Sequence, residues 1–363
     1  IISIEQHCST AQRVKQAEVL TRVLGESLLL PPWDEDQGDI DADAMGSISP
    51  WSARGRILIK STRGSGRGPQ DPLPEYDRCI ALPTVKLTRH EKDELQRVSD
   101  DVGGADSGTM TFRDSRPLSH VSSMTASEAL RLRNVVGEGV LRQWNSRCLS
   151  RAYPEGTRIT SANVDPLPLW LSGVQMVAMN YQTADRALLV NEGLFHSYNG
   201  GCGYVLKPPA LLCSSHNVSK SSGREHLCRR LRLRICCGHR LPRPEQIHVE
   251  RGRDDAGVVE EDASSPMVVV GLEPGGQLSQ TRPAMRDGYH PVFNHDVDFE
   301  VSDAPLHILT FEVRDARTGK TMARRAAALD AVREGFRWLQ LRSESGNSVP
   351  HGGLLVYTEI FAR

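Results

Sequence analysis

Arg151 and Tyr153 stand two residues apart in the run "CLSRAYPEGTRITSAN" from Cys148 to Asn163. A guanidinium presents a planar fork of donors to phosphate oxygens, and a phenol ring offers a flat face to a sugar-like ring. The pair therefore suits an anionic, ring-shaped ligand. It sits at a turn-like Tyr-Pro-Glu-Gly that closes a mostly apolar stretch, followed by "WLSGVQMVAMNYQT" from Trp170 to Thr183. Further side chains able to do chemistry lie far away in sequence: Glu5 after a β-branched run, Lys60 in "GRILIKS", and the serine-rich run that includes Ser119, Ser122, Ser123 and Ser127. His7 and Cys8 are adjacent, but neighbours on a strand face opposite ways. That makes them a poor nucleophile and base pair, and structural roles are expected for both.

These residues need elements to position them. Ile1 to Ile4 reads as a strand ending at Glu5, and Ser9 to Leu30 as a helix. In that helix Ser9 is the N-cap, and Val14, Ala17, Leu20, Val23 and Leu24 share one face. Gly55 to Ser61 reads as a second strand. Strand, helix, strand with polar residues at the carboxyl ends is the pattern of a parallel barrel whose active face lies at those ends. The apolar run Val174 to Met179 and "CGYVLKP" (Cys202 to Pro208) read as two short buried strands, and a helix is expected to start near Ala126. Pro208 and Pro209 mark a boundary.

Two stretches read differently. Arg63 to about Pro117 is rich in glycine, proline and polar residues, with only Arg78 to Leu87 strand-like, and a mobile connection is expected there. Gly64, Gly66 and Gly68 are followed by no Lys-Ser/Thr and no helix start, so they do not make a phosphate loop. Cys213 to Arg230 is a basic, polar tether. From Leu231 the apolar period becomes two, in runs starting at Leu231, Pro266, Asp296, His307, Phe336 and Gly353. Short strands separated by turn signals point to an antiparallel sandwich.

With 363 residues, 39% hydrophobic and 25% charged, the chain has material for about two domains. A net charge of -1 excludes bulk electrostatic binding to nucleic acid or an anionic membrane, so anion selectivity has to come from local clusters. No apolar run approaches the roughly 18 residues a membrane-spanning helix needs. The eight cysteines are scattered, which fits a reduced, cytoplasmic compartment. Cys236, Cys237 and His239 lack zinc-ligand spacing. Asn217-Val-Ser is a formal glycosylation triplet, of a kind common by chance. The chain opens on "IISIEQHCS", which reads like the middle of a fold and is expected to be part of a longer protein.

The run "LSRAYPEGTRITSANVDPLPLWLSGVQMVAMNYQT", with "NGGCGYVLKP" after it, resembles the Y box of eukaryotic phosphoinositide-specific phospholipase C. "ISIEQHCS" followed by "ARGRILIK" resembles the end of that family's X box. "PMVVVGL", "GYHPVFN", "LTFEVRD" and "GFRWLQL" resemble its C2 domain. The resemblance implies an α/β chain: the later strands of a (β/α)8 TIM-like barrel followed by an all-β antiparallel C2-type sandwich. The expected division is residues 1–64 (X half-barrel), 65–118 (flexible linker), 119–212 (Y half-barrel), 213–230 (tether) and 231–363 (sandwich).

For function, the resemblance implies calcium-dependent cleavage of phosphatidylinositol 4,5-bisphosphate to inositol trisphosphate and diacylglycerol, by a cytoplasmic protein associating peripherally with membrane. Glu5 is then a Ca²⁺ ligand, and Lys60, Ser123, Arg151 and Tyr153 bind substrate. None of the 12 histidines stands in a matching catalytic motif. The family's histidines are expected before Ile1, and the chain alone is expected to be inactive. There are departures from the family. Thr62 replaces a second lysine, with Arg63 a candidate substitute; Thr157 stands where some members carry a membrane-inserting aromatic; and Ser265 and Arg317 stand where C2 calcium loops often have Asp, although Asp315 is kept. Asp254, Asp255 and Asp262 look like an insertion, and the sandwich is expected to brace the barrel more than to bind calcium. Two alternatives are a phospholipase-like scaffold that binds phosphoinositides without turnover, and a barrel hydrolase for another phosphodiester.

Overall fold

The computed structural model describes residues 1–34, 39–40, 49–64, 74–103, 120–156, 160–212, 229–243 and 264–362. It divides into two compact units: Ile1–Arg158 with Pro168–Ala178 and Pro209–Val218, and Ile159–Leu167 with Met179–Pro208 and Ser219–Arg363. No helix among the described residues is long and apolar enough to cross a membrane.

In the first unit β1 (Ile2–Ser3) leads into a helix, Thr10–Leu24, and then a small antiparallel ribbon, β2 (Trp33–Asp34) with β3 (Asp39–Ile40). Ser9 caps the helix. Its side chain accepts from the Gln12 backbone N–H while the Gln12 side chain accepts from Ser9 N, so two orphan donors are satisfied reciprocally. The helix ends at Gly25, earlier than Leu30, because a glycine with positive φ turns the chain and Leu28 is buried beyond it. There follow β4 (Ile59–Ser61), β5 (Ile80–Val85), β6 (Val121–Thr125), β7 (Leu149–Tyr153) and β8 (Met176–Val177). The sheet order is β1-β4-β5-β6-β7-β8 and every neighbouring pair is parallel, making a half-barrel.

The stretch expected to be a mobile linker is corrected here. Within it lie a short helix Pro74–Arg78, the strand β5 and a helix Arg89–Gly103, and β5 sits in the middle of the sheet. Ile80, Ala81 and Leu82 are buried, as a strand covered on both faces requires. Arg78 to Leu87 reads as strand-like, but Pro83 argues against a central strand, since proline lacks the N–H that such a strand donates. The structure accommodates it because β5 pairs with β4 from Ile80 to Pro83 and with β6 only at Thr84 and Val85. Ile59, Ile80, Tyr76 and Cys79 pack with Ala17 and Leu28 on one side, while Leu82 and Val121 pack with Leu58, Leu149 and Met176 elsewhere. Leu95, Val98, Val136, Val140, Leu141 and Trp144 join the outer helices Arg89–Gly103, Ala126–Val136 and Glu138–Arg147.

The second unit is an antiparallel sandwich: β9 (Arg229–His239), β10 (Pro266–Glu273), β11 (Gln277–Gln280), β12 (Val292–Val301), β13 (Ile308–Asp315), β14 (Thr321–Ala328), β15 (Gly335–Arg342) and β16 (Ser348–Ala362). The order β11-β10-β13-β14 continues into β15-β16-β9-β12 through a single residue pair, Arg324↔Arg342. Inward positions from both halves, among them Leu231, Leu233, Val268, Val270, Phe299, Phe311 and Leu354, fill one core. The helix Arg186–Phe195, capped by Asp185, packs on β14. Their approach is so close that a Cβ on Gly193 would lie 2.7 Å from that of Ala326. The expected strand at Cys202 to Pro208 does not form. Gly200, Gly201 and Gly203 adopt positive φ, and Tyr204 and Leu206 are exposed, so the run has no face to bury.

Candidate active site

Each strand at the centre of the half-barrel turns from apolar to polar along its own length. Leu58 precedes Lys60 on β4, Leu82 precedes Thr84 on β5, Val121 precedes Ser123 on β6, and Leu149 precedes Arg151 and Tyr153 on β7. Residues two apart on a strand share a face. Leu58, Leu82, Val121 and Leu149 belong to one apolar cluster, and a polar layer lies just beyond it at the carboxyl ends. Register ties the layer together: Ser3 pairs with Lys60, Ser123 with Arg151, and Thr125 with Tyr153. Ser122 is fully buried and Ser123 half-buried, as alternation along β6 requires.

Lys60 is 4% exposed, and its Nζ donates to Thr84 Oγ1 at 2.9 Å and to Ser3 Oγ at 3.5 Å. Burial, and secondarily the positive charge of Arg151, lower its pKa to about 8. Desolvation also lowers the Arg151 pKa, while Tyr153 and Glu5 act to raise it. The Arg151 guanidinium lies 5.0 Å from the centre of the Tyr153 ring, within cation–π range. The pair sits at the end of β7, directly before Pro154, with the guanidinium over the ring. Desolvated cations above an apolar floor bind an anion more strongly than the same groups in water, because the local dielectric is low.

Glu5 lies two residues past β1, with its side chain 89% exposed and its Oε1 3.2 Å from His7 Nε2. Among the described residues no group of three or more His, Cys, Asp or Glu side chains is placed to hold a metal ion. Ca²⁺ takes about six to eight oxygen ligands. Glu5 can supply one or two of them, and these residues alone do not make a calcium site.

Thr84 and Ser3 were not among the residues expected from sequence. The leucine-x-polar step on β5 is the signal that would have found Thr84. Arg63, the suggested substitute cation, donates from Nη2 to Ile80 O at 3.1 Å, at the start of β5, while Thr62 is exposed. Thr157 lies outside the described residues, as do Asp254, Asp255 and Asp262. In the sandwich Asp315 is fully buried, with Oδ1 accepting from Ser265 N and Oδ2 from Thr318 Oγ1, both at 2.8 Å.

Family models for "Phosphatidylinositol-specific phospholipase C, X domain" match residues 1–63, the corresponding Y domain residues 105–210, and the C2 domain residues 229–328. The rat (Rattus norvegicus) 1-phosphatidylinositol 4,5-bisphosphate phosphodiesterase delta-1 is 29% identical over 391 residues, covering 99% of this chain and 49% of that protein. The Caenorhabditis elegans 1-phosphatidylinositol 4,5-bisphosphate phosphodiesterase gamma plc-3 is 31% identical over 244 residues, covering 64% of this chain and 17% of that protein. The crystal structure of S. officinalis PLC21 shares the fold, with a TM-score of 0.72 at 21% identity, covering 99% of this chain and 44% of that one. The chain spans about half the length of relatives such as the rat protein. Its X, Y and C2 matches, in that order on this fold, place the chain in the phosphoinositide-specific phospholipase C family.

Proposed function

We propose that this chain forms the substrate-holding part of a calcium-dependent phosphoinositide phospholipase C acting on phosphatidylinositol 4,5-bisphosphate. The observation that carries this reading is the polar layer above an apolar floor, where Lys60, Ser123, Arg151 and Tyr153 share one face of a parallel sheet. Arg151 and Lys60 engage headgroup phosphates, the first with a planar fork and the second with a point charge. Ser123 donates a hydroxyl and Tyr153 flanks the inositol ring. In the reaction the inositol 2-hydroxyl attacks phosphorus and releases diacylglycerol, and water then opens the cyclic phosphate. Calcium, when bound, would acidify the attacking hydroxyl and offset charge on the phosphoryl oxygens, with Glu5 as one of its ligands. The protein works in the cytoplasm and meets its lipid substrate at a membrane surface.

The sandwich does not act as a calcium sensor, a reading supported by Asp315, whose two oxygens already accept hydrogen bonds from Ser265 and Thr318. Taken alone the chain is inactive, since none of its histidines stands in a catalytic motif of the family. The test is calcium-dependent inositol phosphate release from phosphatidylinositol 4,5-bisphosphate vesicles, by the intact protein and by this chain. Release by the intact protein alone is expected. Release by this chain alone would overturn its inactivity, and headgroup binding by the intact protein without release would favour the scaffold.

A further inference from the structure

Lys60 is the only lysine in the six strands of the half-barrel sheet, and its ammonium is not free to choose its direction. An ammonium carries three N–H donors and no acceptor, so both neighbouring hydroxyl oxygens accept from it. The 2.9 Å contact to Thr84 is a full hydrogen bond, and the 3.5 Å contact to Ser3 a weak one. One donor remains. Thr84 stands on β5, one strand over from Lys60 and two residues beyond the buried Leu82, so a fixed part of the sheet holds it. Thr62 carries no charge, and the Arg63 guanidinium is tied to Ile80 O at the start of β5.

We propose that Thr84 is a positioning residue for the headgroup site: its hydroxyl fixes the Lys60 ammonium so that the remaining donor is presented to a phosphate of the inositol ring. This rests on the phospholipase reading of the site. Two physical effects support it. A lysine side chain loses much rotamer freedom when it binds, and a preset hydrogen bond removes part of that cost before the ligand arrives. A hydrogen bond accepted from the ammonium also favours its charged form. It opposes burial and the Arg151 charge, which together lower the Lys60 pKa to about 8. Among ionisable groups, Arg151 of β7 acts on the Lys60 ammonium, and Tyr153 of β7 and Glu5 beyond β1 act in turn on Arg151.

The test is calorimetric binding of soluble inositol 1,4,5-trisphosphate to the intact protein, as wild type, Thr84→Val and Thr84→Ser, at about pH 6.5 and about pH 8.5. Thr84→Val is expected to bind about ten-fold more weakly at the higher pH and to recover part of that loss at the lower one, where Lys60 keeps its proton. Thr84→Ser, which restores the acceptor, should bind within about two-fold of wild type and keep its thermal midpoint, while Thr84→Val should lower the midpoint modestly. Three results overturn the proposal: wild-type affinity in Thr84→Val, equal weakening in Thr84→Ser, or a loss in Thr84→Val that is the same at both pH values. If the wild type itself binds no inositol trisphosphate, the headgroup reading fails and this inference falls with it. A normal wild type with an unaffected Thr84→Val removes Thr84 alone.

Discussion

The half-barrel and the sandwich each bury a charged side chain near a strand end, and they treat it in opposite ways. On β4 the Lys60 ammonium has one firm acceptor, Thr84, and one weak one, Ser3, and keeps a donor in hand. On β13 the Asp315 carboxylate is used up. Burial pushes its pKa up, but hydrogen bonds from the Ser265 backbone, the Thr318 hydroxyl and the Arg317 and Thr318 backbone outweigh burial and hold it below the usual value. A buried charge that retains capacity is poised for a ligand, whereas a saturated one staples a loop. Residue type alone would have called both of them binding groups.

The contrast can be broken at several points. Arg151→Ala in the intact protein should lower kcat/KM on phosphatidylinositol 4,5-bisphosphate by about 100-fold or more, and far less on unphosphorylated phosphatidylinositol. Equal losses on the two lipids would take Arg151 out of phosphate recognition. Ile80→Ala, in the stretch that reads as a linker, should cost about 2–5 kcal/mol of stability by denaturant unfolding, because it empties a filled core site. A change near zero would return that stretch to linker status.

On the sandwich side, Asp315→Asn should destabilise by about 1–3 kcal/mol, since it breaks a saturated buried site. The folded-state pKa of Asp315 is depressed, so its contribution is present above the ordinary carboxyl value and lost as pH falls through the lowered one. A wild-type and variant difference that persists unchanged into strong acid would remove the carboxylate as its cause. The last test belongs to Lys60. Its folded pKa is lowered, so stability should rise as pH climbs from about 8 toward the ordinary lysine value of 10.5, while headgroup affinity falls over the same window. Lys60→Met should flatten both curves, and two unchanged slopes would mean that another group titrates there.

Much of this was legible beforehand, for identifiable reasons. The sandwich strands that alternate apolar and polar residues, such as "LRLRI" and "DVDFEV", announce themselves by period two. β14 does not: "TMARRAAA" is rich in alanine, a helix former, and it becomes a strand because β13 pairs along it and Gly193 lets a helix approach its small side chains. "CGYVLKP" was read as strand from its apolar centre, but the glycines before and within it set the backbone. At the site, Lys60, Arg151 and Tyr153 could be picked out by type and motif. Thr84 was missed because the stretch around it reads as a linker, so its one signal, the leucine-x-polar step it shares with β4, β6 and β7, gains meaning only once β5 stands between β4 and β6.

That placement of β5 gives the sheet a seam. β1 and β4 come from the chain before residue 64, and β5 to β8 from the chain after residue 74, so β4 against β5 is the one strand pairing through which the two segments of the half-barrel meet among the described residues. The junction is fastened by Tyr76 Oη donating to Ser61 Oγ, by Gly64 N donating to Asp77 Oδ1, and by Lys60 donating to Thr84. Two polypeptides split between residues 64 and 74 would therefore each carry one side of the Lys60 to Thr84 bond. Their reassembly would have to rebuild the site in order to close the sheet.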